Sequence, residues 1–110
     1  MPQALRADDQ VLLLDIPSTA ELVSMARLLM RGTIVALGSA NDVDRARREM
    51  AEFDNVLFLD ASPAAIPWRD GYFSKIVVPP HLEPLLPQIA HEIQRVLRPD
   101  GMVVRTTLDV

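Results

Sequence analysis

Residues Val11 to Glu21 read VLLLDIPSTAE, an apolar run that meets an aspartate, then a proline-marked turn, then the start of a helix. Gln10 to Leu14 is too short for a helix and apolar after its first residue, which suits a strand buried on both faces of a parallel sheet. Ser18 and Glu21 have the S-x-x-E spacing of a capping box. Leu22, Met25, Ala26 and Leu29 then recur at helical spacing, and Gly32 is placed to stop the helix. The turn between strand and helix holds no glycine.

Outward from this unit the pattern repeats. Thr33 to Leu37 (TIVAL) is a second strand, and GSAND is a turn in which Asn41 or Asp42 can cap a second helix. In that helix Val43, Ala46, Met50 and Phe53 make an apolar stripe, while Arg45, Arg47, Arg48, Glu49 and Glu52 take the wet side. Asn55 to Asp60 (NVLFLD) is a third strand, followed by the irregular link ASPAAIPWRDGYF and a fourth strand, Lys75 to Val78. PPHLEP opens a third helix with the stripe Leu86, Ile89, Ile93, Val96 and Leu97, and its prolines at 84 and 87 fall where missing N–H donors cost least. RPDG turns the chain into a fifth strand, MVVRTTL, with Pro99 ending the helix and Gly101 free to take positive φ. Strands alternating with helices imply an α/β domain, a doubly wound parallel sheet with right-handed crossovers, over residues 1–110 as one unit.

With 49% hydrophobic and 24% charged residues among 110, the chain has globular composition. Its net charge of −4 gives no electrostatic footprint for nucleic acid or an anionic membrane, and neither is expected as a partner. The absence of cysteine excludes disulfides, thiolate metal sites and a cysteine nucleophile, and suits a reducing compartment. No apolar run approaches the roughly 18 residues of a membrane span, and MPQALRADD lacks the pattern of a signal peptide. A cytoplasmic protein is the expectation.

Ile89 to Val104 (IAHEIQRVLRPDGMVV) is similar to the helix-turn-strand signature of class I S-adenosylmethionine-dependent methyltransferases of the type 11 kind. Asn55 to Val78 (NVLFLDASPAAIPWRDGYFSKIVV) resembles that family's N-V-x-F-x-x-G-D-A-x-x-L-P-[FW]-x-D-x-[ST]-F-D-x-V. The resemblance runs from about Val11 to Val104 and implies a Rossmann-like sheet of about five strands in the order 3-2-1-4-5. The family continues past the fifth strand into a helix and a C-terminal antiparallel hairpin, and this chain reads as truncated before them. The last strand would then present an open apolar edge, so a homodimer or a partner protein is expected to cover it.

The resemblance also assigns roles that this chain departs from. The family's D-x-G-x-G-x-G turn is Asp15-Ile16-Pro17-Ser18-Thr19-Ala20-Glu21 here, so Asp15 matches as a cofactor-binding residue while all three glycines are replaced. Pro17, Thr19 and Glu21 put bulk, and a negative charge, where the backbone would pass the methionine part of the cofactor. Gly38 stands where an acid grips both ribose hydroxyls, and Ser62 where an acid accepts from the adenine amino group, unless the register slips by two and Asp60 serves. A charge-assisted hydrogen bond contributes about 1.5–3 kcal/mol, so two missing acids weaken binding roughly 10²- to 10⁴-fold.

Other chemistry-bearing residues read less sharply. His81 follows strand four at the carboxyl end of the sheet, a place for an acid-base or binding group as well as for a loop histidine. His91 lies between core positions of the third helix and reads as surface or boundary. Asp15, Asp60 and Ser62 could face one crevice, but without metal-ligand spacing they give no metal site. Ser18 and Thr19 lack a nucleophile elbow or a partnered histidine, and Trp68 reads as packing beneath the link. The arginines at 45, 47 and 48 are interleaved with acids, as on a solvated helix face.

The expectation is therefore a methyltransferase-like protein, a pseudoenzyme with no catalytic residue and no cofactor, acting as a binding or assembly module. Two alternatives stand beside it. One is a small S-adenosylmethionine-dependent enzyme with an atypical or dimer-completed site. The other is a binder of a different small anion or nucleotide at the N-terminus of the first helix.

Overall fold

The computed structural model describes residues 5–105. Strands β1 (Gln10–Leu13), β2 (Thr33–Gly38), β3 (Val56–Asp60), β4 (Phe73–Val78) and β5 (Leu97–Arg105) form one sheet in the order β3-β2-β1-β4-β5, the expected 3-2-1-4-5. Every pairing is parallel. Helices α1 (Thr19–Leu28), α2 (Ala40–Glu49) and α3 (Leu86–Val96) connect the strands, with a short 3-10 helix, Pro80–Leu85, ahead of α3. Among the described residues no antiparallel hairpin follows β5; Thr106 to Leu108 of the expected fifth strand lie outside them. No helix among the described residues is long and apolar enough to cross a membrane.

The alternation of side chains along each strand sorts the core into two layers. On one face Val11, Leu13, Ile34, Ala36 and Phe58 pack against Leu22, Met25, Ala26 and Leu29 of the α1 region and Val43, Ala46 and Met50 of the α2 region. On the other, Leu12, Leu14, Val35, Leu37, Ile76 and Val78 pack against Ile89, Ile93 and Val96 of α3, with Ile66 from the link and Phe73 from the start of β4. The apolar stripes read from helical spacing are thus the buried faces of all three helices.

Three local expectations are corrected. Helix α2 is capped by Ser39, whose hydroxyl accepts from Asp42 N–H at 3.4 Å, and not by Asn41 or Asp42. Gly32 does not close α1, which ends at Leu28; the Asn55 side chain covers that end by donating to Ala26 O at 2.9 Å and Leu29 O at 3.0 Å. A glycine stands at 32 because a Cβ there would run into the Asp9 carbonyl. Gly101 does not take positive φ, since Gly71, at 62°, is the only described residue that does. The chain leaves α3 directly into β5, pairs Leu97 with Phe73, shifts register, and resumes with Met102 opposite Lys75. A Cβ at 101 would stand 2.6 Å from Leu97 Cδ1, so position 101 needs space and not a left-handed backbone.

The link between β3 and β4 is held without a helix. Arg95 of α3 donates to Ile66 O (2.7 Å), Trp68 O (2.9 Å) and Asp70 Oδ1 (2.7 Å), and grips both carboxylate oxygens of Glu92. Glu92 in turn accepts from Ile66 N–H at 2.8 Å. Trp68 stacks at a tilt against Tyr72 and Phe73, with ring centroids 5.5 and 5.7 Å away, and closes the α3 side of the core. At the amino ends of β1 and β4 the buried Asp9 carboxylate accepts from Arg6 N–H, the Ser74 hydroxyl and the Lys75 ammonium.

Candidate functional site

In an open α/β sheet the crevice lies beyond the carboxyl ends of the strands, where the winding reverses. Here that point falls between β1 and β4, because β1 sends its crossover to one face and β4 sends its crossover to the other. Two side chains read separately from the sequence meet there. Asp15, just past β1, accepts from Ile16 N–H at 2.8 Å with Oδ1, and its Oδ2 lies 2.9 Å from His81 Nε2. His81 sits at the start of the 3-10 helix, beside Pro79 and Pro80, whose fixed φ holds that segment stiff. With Nε2–H directed at the carboxylate, a neutral imidazole keeps Nδ1 as its acceptor. Both side chains stay accessible, at 44% exposed for Asp15 and 61% for His81.

The turn from β1 into α1 manages without glycine because none of its residues takes positive φ. Ser18 caps α1, accepting from Glu21 N–H at 3.2 Å. The capping box is half formed: the Glu21 carboxylate receives the Ser18 hydroxyl at 3.1 Å. Thr19 is also engaged, donating to Glu49 Oε1 of α2 at 2.6 Å.

The other two positions singled out lie apart from this pair. Gly38 ends β2 opposite Asp60, and the Ile16 side chain covers it: a Cβ at 38 would stand 2.6 Å from Ile16 Cδ1. Ser62 is spent locally, accepting from Ala64 N–H at 3.1 Å in a turn closed by Ala65 N–H donating to Ser62 O. Among the described residues no hydrogen bond or ion pair joins Asp15 to Asp60 or Ser62, and no group of three or more His, Asp or Glu could hold a metal ion. His91 is exposed on α3; Arg45 pairs with Asp42, and Arg47 donates to Phe58 O, so these arginines build no free cationic patch.

Tested against S-adenosylmethionine, these residues fit poorly. Where the resemblance would put a ribose-binding acid stands Gly38, covered by the Ile16 side chain, and Asp15, which the resemblance would match to a cofactor-binding carboxylate, is turned to Ile16 and His81. The Asp15–His81 pair and the Glu92–Arg95 clasp were not legible as pairs. The clasp had a signal in the i, i+3 spacing of an acid and an arginine on α3, whereas Asp15 and His81 are joined only by the fold.

No protein-family profile and no curated protein matches the sequence. Solved structures do match in fold. A SAM-dependent methyltransferase from Aquifex aeolicus aligns with a TM-score of 0.78 at 19% identity, over 96% of this chain and 61% of its own. Geranyl diphosphate C-methyltransferase from Streptomyces coelicolor A3(2), solved with Mg2+, geranyl diphosphate and S-adenosyl-L-homocysteine, gives 0.75 at 18% identity over 94% of this chain and 40% of its own. The [4+2]-cyclase SpnF gives 0.73 at 24% identity over 90% of this chain and 38% of its own. The chain therefore has a class I methyltransferase-like fold and spans less than two thirds of the length of each of these proteins. A fold shared by methyltransferases and a cyclase leaves the chemistry to the residues of the site.

Proposed function

We propose that this chain is a cytoplasmic methyltransferase-like domain that does not use S-adenosylmethionine and serves as a binding or assembly module. The observation that carries the reading is the Ile16 side chain lying over Gly38, at the strand end where the resemblance calls for a ribose-binding acid. Thermal denaturation with S-adenosylmethionine or S-adenosylhomocysteine tests it. A ligand present at a hundred times its Kd would add about 2.7 kcal/mol and raise the midpoint by roughly 10 °C. The reading expects a shift below about 1 °C at the same concentration, on that same scale.

A second reading has its own support in the Asp15–His81 pair at the switch point. A crevice with an oriented imidazole suits a small ligand of another class, an anion or a nucleotide, bound beside the start of α1. A ligand panel followed by midpoint shift tests it, the gain disappearing in His81→Ala. A small methyltransferase completed across a dimer is the remaining reading, and cofactor binding would restore it.

A further inference from the structure

The other three crossovers of this sheet run through a helix, whereas the stretch from Ala61 to Tyr72 passes over the α3 face without one. Its hold there is narrow. Between Ser62 and Asp70 one side chain, Ile66, is buried, and Trp68 is half-buried against the same layer. Among the described residues, the hydrogen bonds that tie this stretch to the rest of the fold all run to two side chains of α3. Glu92 accepts from Ile66 N–H, and Arg95 donates to Ile66 O, Trp68 O and Asp70 Oδ1. The remaining bonds close within the stretch, Ala64 N–H and Ala65 N–H onto Ser62 and Trp68 N–H onto Ile66 O.

We propose that residues 62–70 form a strap that opens and closes as one unit, with Arg95 as its latch and Gly71 as its hinge. The proposal stands apart from the cofactor question. A guanidinium holds its donors in one rigid planar fork, so the three acceptors on the strap are released together when Arg95 swings away. The Asp70 end of the latch lies at the surface, its side chain 79% exposed, and water competes for the guanidinium from that side. Few buried apolar contacts and a short set of tertiary hydrogen bonds are the marks of a segment that opens below the global unfolding free energy.

The ends of the strap suit this motion. Gly71 takes a φ of 62°, and a Cβ there would meet nothing within 4 Å, so the position needs glycine for its backbone rotation and not for space. Beyond it, Tyr72 N–H donates to Val96 O at 2.9 Å and anchors the chain where β4 begins. At the other end β3 is paired with β2 as far as Asp60, so the opening stops at the sheet. Pro63 and Pro67 fix φ inside the strap and limit the disorder it gains on release. Opening bares part of the apolar layer to which Ile66 and Trp68 belong, on the face where α3 and the 3-10 helix before it are the only described helices.

Native-state hydrogen exchange on the full chain tests this, with the Ile66 and Trp68 amides reporting the strap and the Leu14 and Ile34 amides reporting the sheet. In the unaltered protein the two strap amides should share one opening equilibrium that barely responds to urea, with protection at least about a hundredfold below that of the sheet amides. Arg95→Met keeps the apolar stem and removes the fork. In that variant the strap amides should fall to within about tenfold of unprotected rates while Leu14 and Ile34 stay protected, and acrylamide should quench Trp68, the single tryptophan, more strongly. Strap and sheet amides exchanging together in the unaltered protein, with the same urea dependence, would overturn the proposal whether or not the variant folds. So would a folded Arg95→Met whose strap amides keep their protection.

Discussion

The side chain of Ile16 rests on Gly38, so closely that a Cβ at position 38 would come within 2.6 Å of Ile16 Cδ1 and 3.1 Å of Ile16 Cγ1. One residue from the loop after β1 thus closes the end of β2, and the two positions have to be read together. The absence of an acid at 38 and the presence of an isoleucine at 16 are one packing solution.

Restoring the acid alone should therefore fail. Gly38→Asp is expected to destabilise the fold by about 1–3 kcal/mol, the usual cost of overpacking a filled site. In an Ile16→Ala background the same substitution should cost less, with a coupling of roughly 0.5–3 kcal/mol as for side chains in direct contact. Urea denaturation of the four proteins of the cycle measures this; additive losses would mean that the two side chains do not share the space.

At the other end of the strands, Asp9 is 5% exposed and its carboxylate is matched by Arg6 N–H, Ser74 Oγ–H and the Lys75 ammonium. Burial alone pushes its carboxyl up, but those three donors outweigh it and hold the group below its ordinary value. Asp9→Ala leaves the Lys75 charge largely buried without a counterion and should cost about 3–5 kcal/mol in the midpoint analysis of a urea titration. A loss within experimental error would show that water reaches Lys75 freely.

The Glu92–Arg95 clasp predicts an acid limb of stability. Glu92 is lowered from 4.5 to about 2, first by the guanidinium hydrogen bonds from Arg95 and then by the Ile66 N–H. A folded value below the unfolded one means that the native state binds fewer protons in this range, so its contribution is complete above 4.5 and lost as the pH falls toward 2. Asp9, lowered as well, acts in the same direction. Urea midpoints measured from about pH 6 down to about pH 2.5 should fall, and Glu92→Gln should flatten the slope. An unchanged slope in that variant would place the acid sensitivity elsewhere.

What the sequence carried was mainly the fold. The buried stripes of α1, α2 and α3 follow from periodicity, because burial against a two-faced sheet leaves a strong and regular apolar signal, whereas the strand order was implied by the family resemblance. Caps were less legible: Ser39, Asn41 and Asp42 are all good N-cap residues in one short run, and packing of the helix decides among them. The glycines misled for the same reason. Gly32 and Gly101 look like turn glycines by position, yet both are required by close neighbours that only the tertiary structure brings near, the Asp9 carbonyl and the Leu97 side chain. At the candidate site, Asp15 and His81 each had a reading from sequence, while their 2.9 Å approach depends on β1 and β4 being neighbours.

The central claim concerns a cofactor, and calorimetric titration of the chain with S-adenosylmethionine and S-adenosylhomocysteine tests it most directly. The account predicts no saturable heat with either compound up to about 1 mM, an affinity weaker than about −4 kcal/mol. A binding isotherm with a Kd of about 10–50 micromolar, or tighter, would contradict it.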